Sequence, residues 1–335
     1  MNNKETAQKL VDRMLDMIKT KGFLPWCKPW SEDDQHPTRT VVDGYDVIEI
    51  PVRHWSRQGR PYQGINNDLL AMDGKKGEMI TFAQCKAEGG KVKKGAKAST
   101  VVYWNFIHKT EDELDKDGNP VLDEDGKVKQ REVKIPVLKE FKVFSVEQDC
   151  EGLKTKHHPG PVVIRIPRCH VESVEGLDSS SYDATAEAVI ASYLTRSNGL
   201  RLNRDDLGDE AFYRQYDHSV TVPRVSQFAD IEAYYSTMFH ELGHSTGHPS
   251  LLNRFTGKDA YAAFGSESYS REELVAEITA ATILSTLGLE SGNSFRNSAA
   301  YIKSWSSKIK DDPMMYVTAA SRAEKAIALI LNNAG

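Results

Sequence analysis

DIEAYYSTMFHELGHSTGH, residues 230–248, is the stretch whose reading decides the fold. Taken as one helix, it carries His-Glu-x-x-His at His240, Glu241 and His244. Two imidazoles four residues apart lie about 40° apart around a helix, close enough to share one metal ion. With Ile231 as origin and about 100° per residue, Ile231, Tyr235, Met238 and Leu242 cluster within roughly 40° of it. His240 and His244 fall at roughly 180° and 220°, among the small side chains of Ala233 and Thr237. One face is patterned for packing and the opposite one for chemistry.

The residue types suit a divalent ion. Neutral imidazoles hold Zn²⁺ and leave a coordination position for water, whose pKa the metal lowers toward neutrality. Zn²⁺ is the expected ion, and another divalent ion such as Mn²⁺ is compatible with the same donors. Glu241 follows the first histidine directly, which puts its carboxylate within reach of that water as a general base. A third protein ligand is required. The extended zinc signature would place a third histidine at position 250, which is Ser250 here, and His248 comes two residues too early and projects off the metal face.

A carboxylate on a second helix is therefore expected, and YSREELVAEITAATILSTL, residues 269–287, supplies one. Ser270 with Glu273 reads as a capping-box start, and Leu274, Ile278 and Ala281 form a core stripe. Glu273 and Glu277 sit one turn apart, about 40° around the helix, so both can face the histidines. Glu273 is assigned as ligand and Glu277 as the partner that orients a histidine. The reverse assignment, or Glu272 as ligand, stays open at this point.

The chain has 335 residues, 39% of them hydrophobic and 27% charged, with a net charge of −5. That is long enough for two domains and excludes only wholesale basic character. Cys27, Cys85, Cys150 and Cys169 form no Cys-x-x-Cys pair and read as free thiols in a reducing cytoplasm. There is no apolar signal core and no apolar run of roughly 18 residues, so no membrane partner is expected and the location is expected to be cytoplasmic.

The first half is where charge and aromatic residues concentrate. Residues 4–19 show helical apolar spacing at Leu10, Met14, Met17 and Ile18. Pro25-Trp26-Cys27-Lys28-Pro29-Trp30 then presents Trp26 and Trp30 beside Lys28 on an extended loop, where they either stack on bases or plug the core. Arg60-Pro61-Tyr62-Gln63-Gly64-Ile65-Asn66 combines a cation, a ring and amide donors at Arg60, Tyr62 and Asn66, a set suited to single-stranded nucleic acid. Residues 75–109 hold eight lysines against two glutamates, a net +6. They include a basic turn at Lys91, Lys93, Lys94 and Lys97 and an aromatic strand through Tyr103 and Trp104. Residues 111–126 reverse the sign, with eight acids against Lys116, and read as a solvated hairpin insertion.

Residues 151–161 make the best boundary, so residues 1–150 and 162–335 are taken as two domains. The second half opens with a strand at 162–166 and a helix over 184–197. A strand at Asp217–Pro223, if it lies at a sheet edge, could take up an extended peptide by strand addition. Helices at 298–309 and 319–331 close the chain. The fold class is α+β.

Together these residues form a pattern that resembles the ArdC-type antirestriction proteins of conjugative plasmids, whose N-terminal module is shared with TraC plasmid primases. The resemblance runs through Pro25-Trp26-x-x-Pro29-Trp30, residues 60–66, Thr81-Phe82-x-Gln84, Gly89-Gly90-x-Val92-x-x-Gly95 and Val143-Phe144-x-Val146-x-Gln148. It continues through Tyr234-Tyr235, residues 240–248, Glu272-Glu273-Leu274-Val275-Ala276-Glu277 and Tyr301-Ile302-x-x-Trp305. It implies an N-terminal single-stranded-DNA-binding domain joined to a zincin-like metallopeptidase domain, and protection of incoming plasmid DNA from restriction. Two features depart from it: Leu251-Leu252-Asn253-Arg254, which holds leucine where the family tends to have arginine and is expected to weaken a surface contact near the site, and the acidic 111–126 tip. Two other readings compete: a zinc protease whose first domain docks a host protein substrate, and an interaction protein whose zinc only ties two helices together.

Overall fold

The computed structural model describes residues 3–21, 37–113, 120–122, 126–167, 182–255, 267–289 and 309–332, in an α+β arrangement. Helix α1 (Asn3–Lys21) buries Ala7, Leu10, Val11 and Met14. Strands β1 (Thr38–Val42) and β2 (Tyr45–Ile50) form a hairpin through Asp43 and Gly44, both at positive φ, as a tight Asp-Gly turn requires. Strand β3 (His54–Ser56), helix α2 (Gly64–Met72) and strand β4 (Gly77–Thr81) follow. Helix α3 (Phe82–Ala87) starts on a Thr81–Gln84 capping box, and β5 (Lys91–Val92) comes next. Strands β6 (Ser99–Asp112) and β7 (Gln130–Ser145) then pair in unbroken antiparallel register from Ser99↔Val143 to Asp112↔Gln130. Glu111 and Asp112, the first acids of the acidic stretch, thus lie at the far end of one long ribbon whose root is the aromatic strand. Helix α4 (Val146–Asp149) and β8 (Cys150–Glu151) complete the first half, and β9 (Val162–Pro167) opens the second.

In the second half, α5 (Ala184–Arg196) is capped by Asp183, and β10 (Arg201–Asp206), β11 (Phe212–Arg214) and β12 (Ser219–Pro223) form a sheet in the order β10-β12-β11. Helix α6 (Ile231–Ser245) is capped by the Asp230 side chain, which accepts from the Ala233 amide at 2.8 Å. Helices α7 (Glu267–Leu287) and α8 (Pro313–Leu331) pack on it and on each other.

Three expectations are corrected. The strand before the histidine helix exists, but β12 is the middle of its sheet, flanked by β10 and β11, so it has no free edge for strand addition. Helix α7 begins at Glu267 rather than at Ser270, whose side chain is buried inside the helix. Helix α8 begins six residues before the expected 319, with Asp312 capping and Pro313 in the first turn, where a missing N–H costs nothing. Trp26, Lys28, Trp30, Cys27, Cys169, and residues 298–308, with Tyr301, Ile302 and Trp305, lie outside the described residues.

Spatial grouping does not follow chain order. Strand β2 is central in a β1-β2-β9 sheet, paired from Tyr45↔Pro167 to Ile50↔Val162, and its Ile48 joins one core with Ile164, Val189, Tyr234, Met238 and Phe239. A second core joins Leu10 and Met14 of α1, Val102 of β6 and Leu138 of β7 to Leu274, Ile278, Met315 and Ala323. Each fully buried aliphatic side chain is worth about 1.5–3 kcal/mol, so both cores bind early and late segments together. The four-stranded sheet, β3-β4-β7-β6, turns Val102 and Leu138 toward that second core; its other face holds the small buried cluster of Leu70, Met79, Val101 and Val143 and leaves the rings of Tyr103 and Phe141 open.

Candidate metal centre and nucleic-acid interface

Helix α6 is buried more completely than its expected stripe: Tyr234, Tyr235, Met238, Phe239 and Leu242 are all fully enclosed. Beyond the first turns, where Ile231, Glu232 and Ser236 are also partly exposed, Ala233, Thr237, His240 and His244 retain partial exposure, and the two histidines face α7. Gly243 sets the approach of the two helices. A Cβ added there would lie 3.2 Å from the Cα of Ala276, tighter than ordinary van der Waals contact. Any larger residue would push α7 away from the histidines.

Across that close approach the structure brings together His240, His244 and Glu273, with one ligand atom from each within 4.8 Å of the others. The two Nε2 atoms are 3.1 Å apart, His244 Nε2 is 3.4 Å from Glu273 Oε1, and His240 Nε2 is 3.6 Å from Glu273 Oε2. Donors bound tetrahedrally at about 2.0–2.1 Å from one ion are separated by roughly 3.3 Å, so the two Nε2 atoms and the Glu273 carboxylate, which meets one nitrogen with each oxygen, are spaced for a zinc-sized cation. The outer nitrogens are held as well. His240 Nδ1 lies 3.3 Å from Glu277 Oε1, and His244 Nδ1 lies 3.5 Å from Glu272 Oε1. Carboxylates on Nδ1 leave the Nε2 atoms as the inward donors, the usual division of labour around a metal-bound imidazole.

Charge compensation in the cluster is dense. Burial pulls both imidazoles down, but the carboxylates outweigh it: Glu273 and Glu277 lift His240 to about 10, and Glu272 and Glu273 lift His244 to about 9. Glu241, itself buried, adds to the upward pull on both rings. Burial raises the Glu273 carboxyl, and its hydrogen bonds to the two histidines more than reverse this, holding it well below the usual carboxylate range. His248 stands apart, stacked on His218 with ring centroids 3.9 Å apart and bonded to Ser250 Oγ.

Sequence reasoning missed Arg254. This buried guanidinium donates to Glu272 Oε2 at 3.0 Å and Oε1 at 2.6 Å, to Thr246 Oγ1 at 2.7 Å and to the Gly243 carbonyl at 2.9 Å. It therefore caps the end of α6 while fixing the carboxylate that sits on His244. The loop after α6 carries no periodicity that would announce this; only a basic residue shortly after a helix C-terminus hints at it.

In the first half, Tyr62 and Tyr103 meet with ring centroids 6.4 Å apart. Arg60 is exposed at the turn before α2, and Lys91, Lys94 and Lys97 are exposed around β5. Two residues are placed otherwise than expected. Asn66 gives Nδ2 to the Val102 carbonyl at 2.8 Å and takes the Val102 amide on Oδ1 at 2.7 Å, so its amide is spent docking α2 on β6. Lys93 Nζ donates to the Gln148 carbonyl at 2.8 Å and so caps α4. The backbone of Trp104 pairs with Leu138, and its side chain lies outside the described residues.

The fold and the site define a class: a module carrying a basic, aromatic sheet, joined to a metallopeptidase-like helix pair. Comparison with known proteins bears this out. Residues 4–144 match the domain family described as the N-terminal domain of anti-restriction factor ArdC, and residues 190–322 match the zincin-like metallopeptidase family. The antirestriction protein ArdC of plasmid R388 has been solved metal-free and Mn(II)-bound. The two structures are 28% and 26% identical to this chain, each with a TM-score of 0.58, covering 98% of it and 97% and 98% of their own lengths. Two DNA primases TraC from Escherichia coli are 30% identical over 319 residues and 31% identical over 321. Those matches take in 94% and 95% of this chain but only 19% and 26% of the primases, so the chain spans about a fifth to a quarter of their length. The chain belongs to the ArdC antirestriction family. Among the described residues, no helix is long and apolar enough to cross a membrane.

Proposed function

We propose that this chain binds single-stranded DNA through its first half and holds a divalent ion, zinc by the chemistry of its donors, in a peptidase-like site, and that it protects incoming plasmid DNA from restriction during conjugation in the cytoplasm of the receiving cell. The observation that carries the site reading is the His240–His244–Glu273 cluster with Glu241 beside it. Membership of the ArdC family supports the DNA reading, and the Mn(II)-bound relative supports a divalent ion. The bound ion would supply Lewis acidity, polarising a carbonyl and lowering the pKa of water. His240, His244 and Glu273 would hold it; Glu277 and Glu272 keep the two imidazoles turned, and Arg254 keeps Glu272 in place. Glu241 takes the proton from the attacking water and passes it on to the leaving group.

The test uses the full-length protein. Its affinity for a labelled single-stranded oligonucleotide should fall steeply with salt, survive metal chelation and be unchanged in Glu241→Gln. In mating experiments the chain should raise transfer of unmodified plasmid into restricting recipients and leave non-restricting recipients unaffected. No salt-sensitive binding, or no difference between the two recipients, refutes the proposal. A second reading, hydrolysis of a host protein, draws on the same cluster. It requires that Glu241→Gln keep its metal and lose at least about a hundredfold in proteolytic rate.

A further inference from the structure

We infer that the open face of the β3-β4-β7-β6 sheet carries a nucleobase pocket, formed by Tyr103, Phe141 and Lys139, that seats one base of a single-stranded DNA segment. The inference rests on the DNA reading above and gives it a location. Phe141 and Lys139 are not among the residues that sequence patterning assigned to DNA. They come to the site through the β6–β7 register, which sets Tyr103 opposite Lys139 and Val101 opposite Phe141.

The cavity measures about 410 Å³, within the ~300–1,000 Å³ of small-ligand sites. Its floor is the small apolar cluster of Met79, Val101 and Val143, and its rim includes Gln58, Thr81 and Gln84. Tyr103 and Phe141 are 44% and 43% exposed, although each sits on a strand with an apolar floor beside it. Their ring centroids are 5.8 Å apart and their planes cross at 71°. A flat base between two parallel rings would need about 7 Å, so this pair offers a corner instead, one ring for the base face and the other for its edge.

Polar and charged groups fit the same occupant. Gln84 Oε1 is committed to the Thr81 amide and hydroxyl, both at 2.9 Å. That fixes the side-chain amide and leaves its NH₂ as a donor for a base carbonyl. Among the described residues no carboxylate lines the cavity, and of its two cations Arg57 is held by Glu78 and Glu88. Lys139 forms no ion pair with the described residues and stands where a phosphate beside the base would lie. An apolar floor, a ring corner, a fixed donor and an uncompensated cation match a nucleotide better than a peptide, whose backbone offers neither a flat ring nor an anionic linker.

The experiment measures affinity of the full-length protein for a labelled deoxythymidine 15-mer at fixed salt, beside an oligomer of the same length built of abasic sites. Phe141→Leu keeps apolar bulk over the floor but removes the ring, and Lys139→Glu reverses the charge. Each should weaken binding of the thymidine oligomer about tenfold, and Phe141→Trp should restore it. Lys142→Glu, one residue along on the opposite face and so a control for charge alone, should stay within about twofold. The abasic oligomer should bind the parent more weakly and ignore Phe141→Leu. If the parent binds the thymidine oligomer but Phe141→Leu binds as well, or Lys139→Glu and Lys142→Glu lose equally, the pocket is refuted while the DNA reading stands. If the parent binds neither oligomer, the DNA reading falls and the pocket with it.

Discussion

Around His240 and His244, the charged groups meet partners within the protein: Glu273 on both Nε2 atoms, Glu277 and Glu272 on the Nδ1 atoms, and Arg254 on Glu272. On the open face of the β3-β4-β7-β6 sheet, Tyr103 and Phe141 remain more than two-fifths exposed, and Lys139 has no counter-charge among the described residues. The first region is arranged before any ligand arrives, since desolvated charges are tolerable only when paired. The second is complete only with something laid on it. Substitutions in the cluster should therefore register in metal affinity and stability, and those around the open face in binding alone.

The sharpest test of that contrast is Arg254→Met. It removes a buried cation and leaves Glu272 with one fewer partner, so metal affinity by titration should fall about 10–100-fold while oligonucleotide affinity stays put. Equal loss of both would show that the two regions are not separable. Next comes Gly243→Ala, where the added methyl meets the Ala276 backbone. A loss of about 1–3 kcal/mol is expected in denaturant unfolding, with weaker metal retention, because such overpacking cannot be relieved by a rotamer change.

A smaller effect is expected at the basic turn. The triple variant Lys91→Glu, Lys94→Glu, Lys97→Glu should reduce the slope of log affinity against log salt by about 2, at roughly 0.7 for each phosphate no longer neutralised, with no change in metal content. Lys93 is left out because it caps α4. Smallest is a pH effect beside the sheet. Hydrogen bonds from Arg57 and then Lys156 hold the Glu88 carboxyl down at about 2, against an ordinary 4.5. A depressed carboxylate stabilises the fold above its unfolded value and loses that contribution as pH falls through its folded one. Thermal unfolding of the parent and Glu88→Gln should therefore converge between about pH 4.5 and 2 and differ above that window.

Sequence legibility followed how local each determinant is. The histidine helix could be read because its period and the motif lie within one segment, and the one-turn spacing of Glu273 and Glu277 placed both on one side of α7. Arg254 could not be read, because its role depends on a loop folding back over the end of α6. Nor could the central position of β12, which depends on parallel pairing with β10 across an intervening strand. Asn66 was misread for a physical reason: an amide that satisfies a strand backbone has the same composition as one that waits for a ligand. Asp312-Pro313 was a plain helix-start signal that apolar periodicity, being weak there, obscured. Phe141 was legible as part of a strand, but the face it occupies follows from the register of the whole β6–β7 ribbon.

Because β2 completes a sheet with β9, and α1 shares a core with α8, neither half can be lifted out without taking pieces of both interiors with it. A fusion carrying only the first half would leave β2 with a bare edge and α1 with an uncovered apolar flank, both prone to aggregation. Genetic shuffling should accordingly move the pair as an indivisible cassette. The TraC primases match 94–95% of this chain within about a fifth to a quarter of their own length, as such a cassette would.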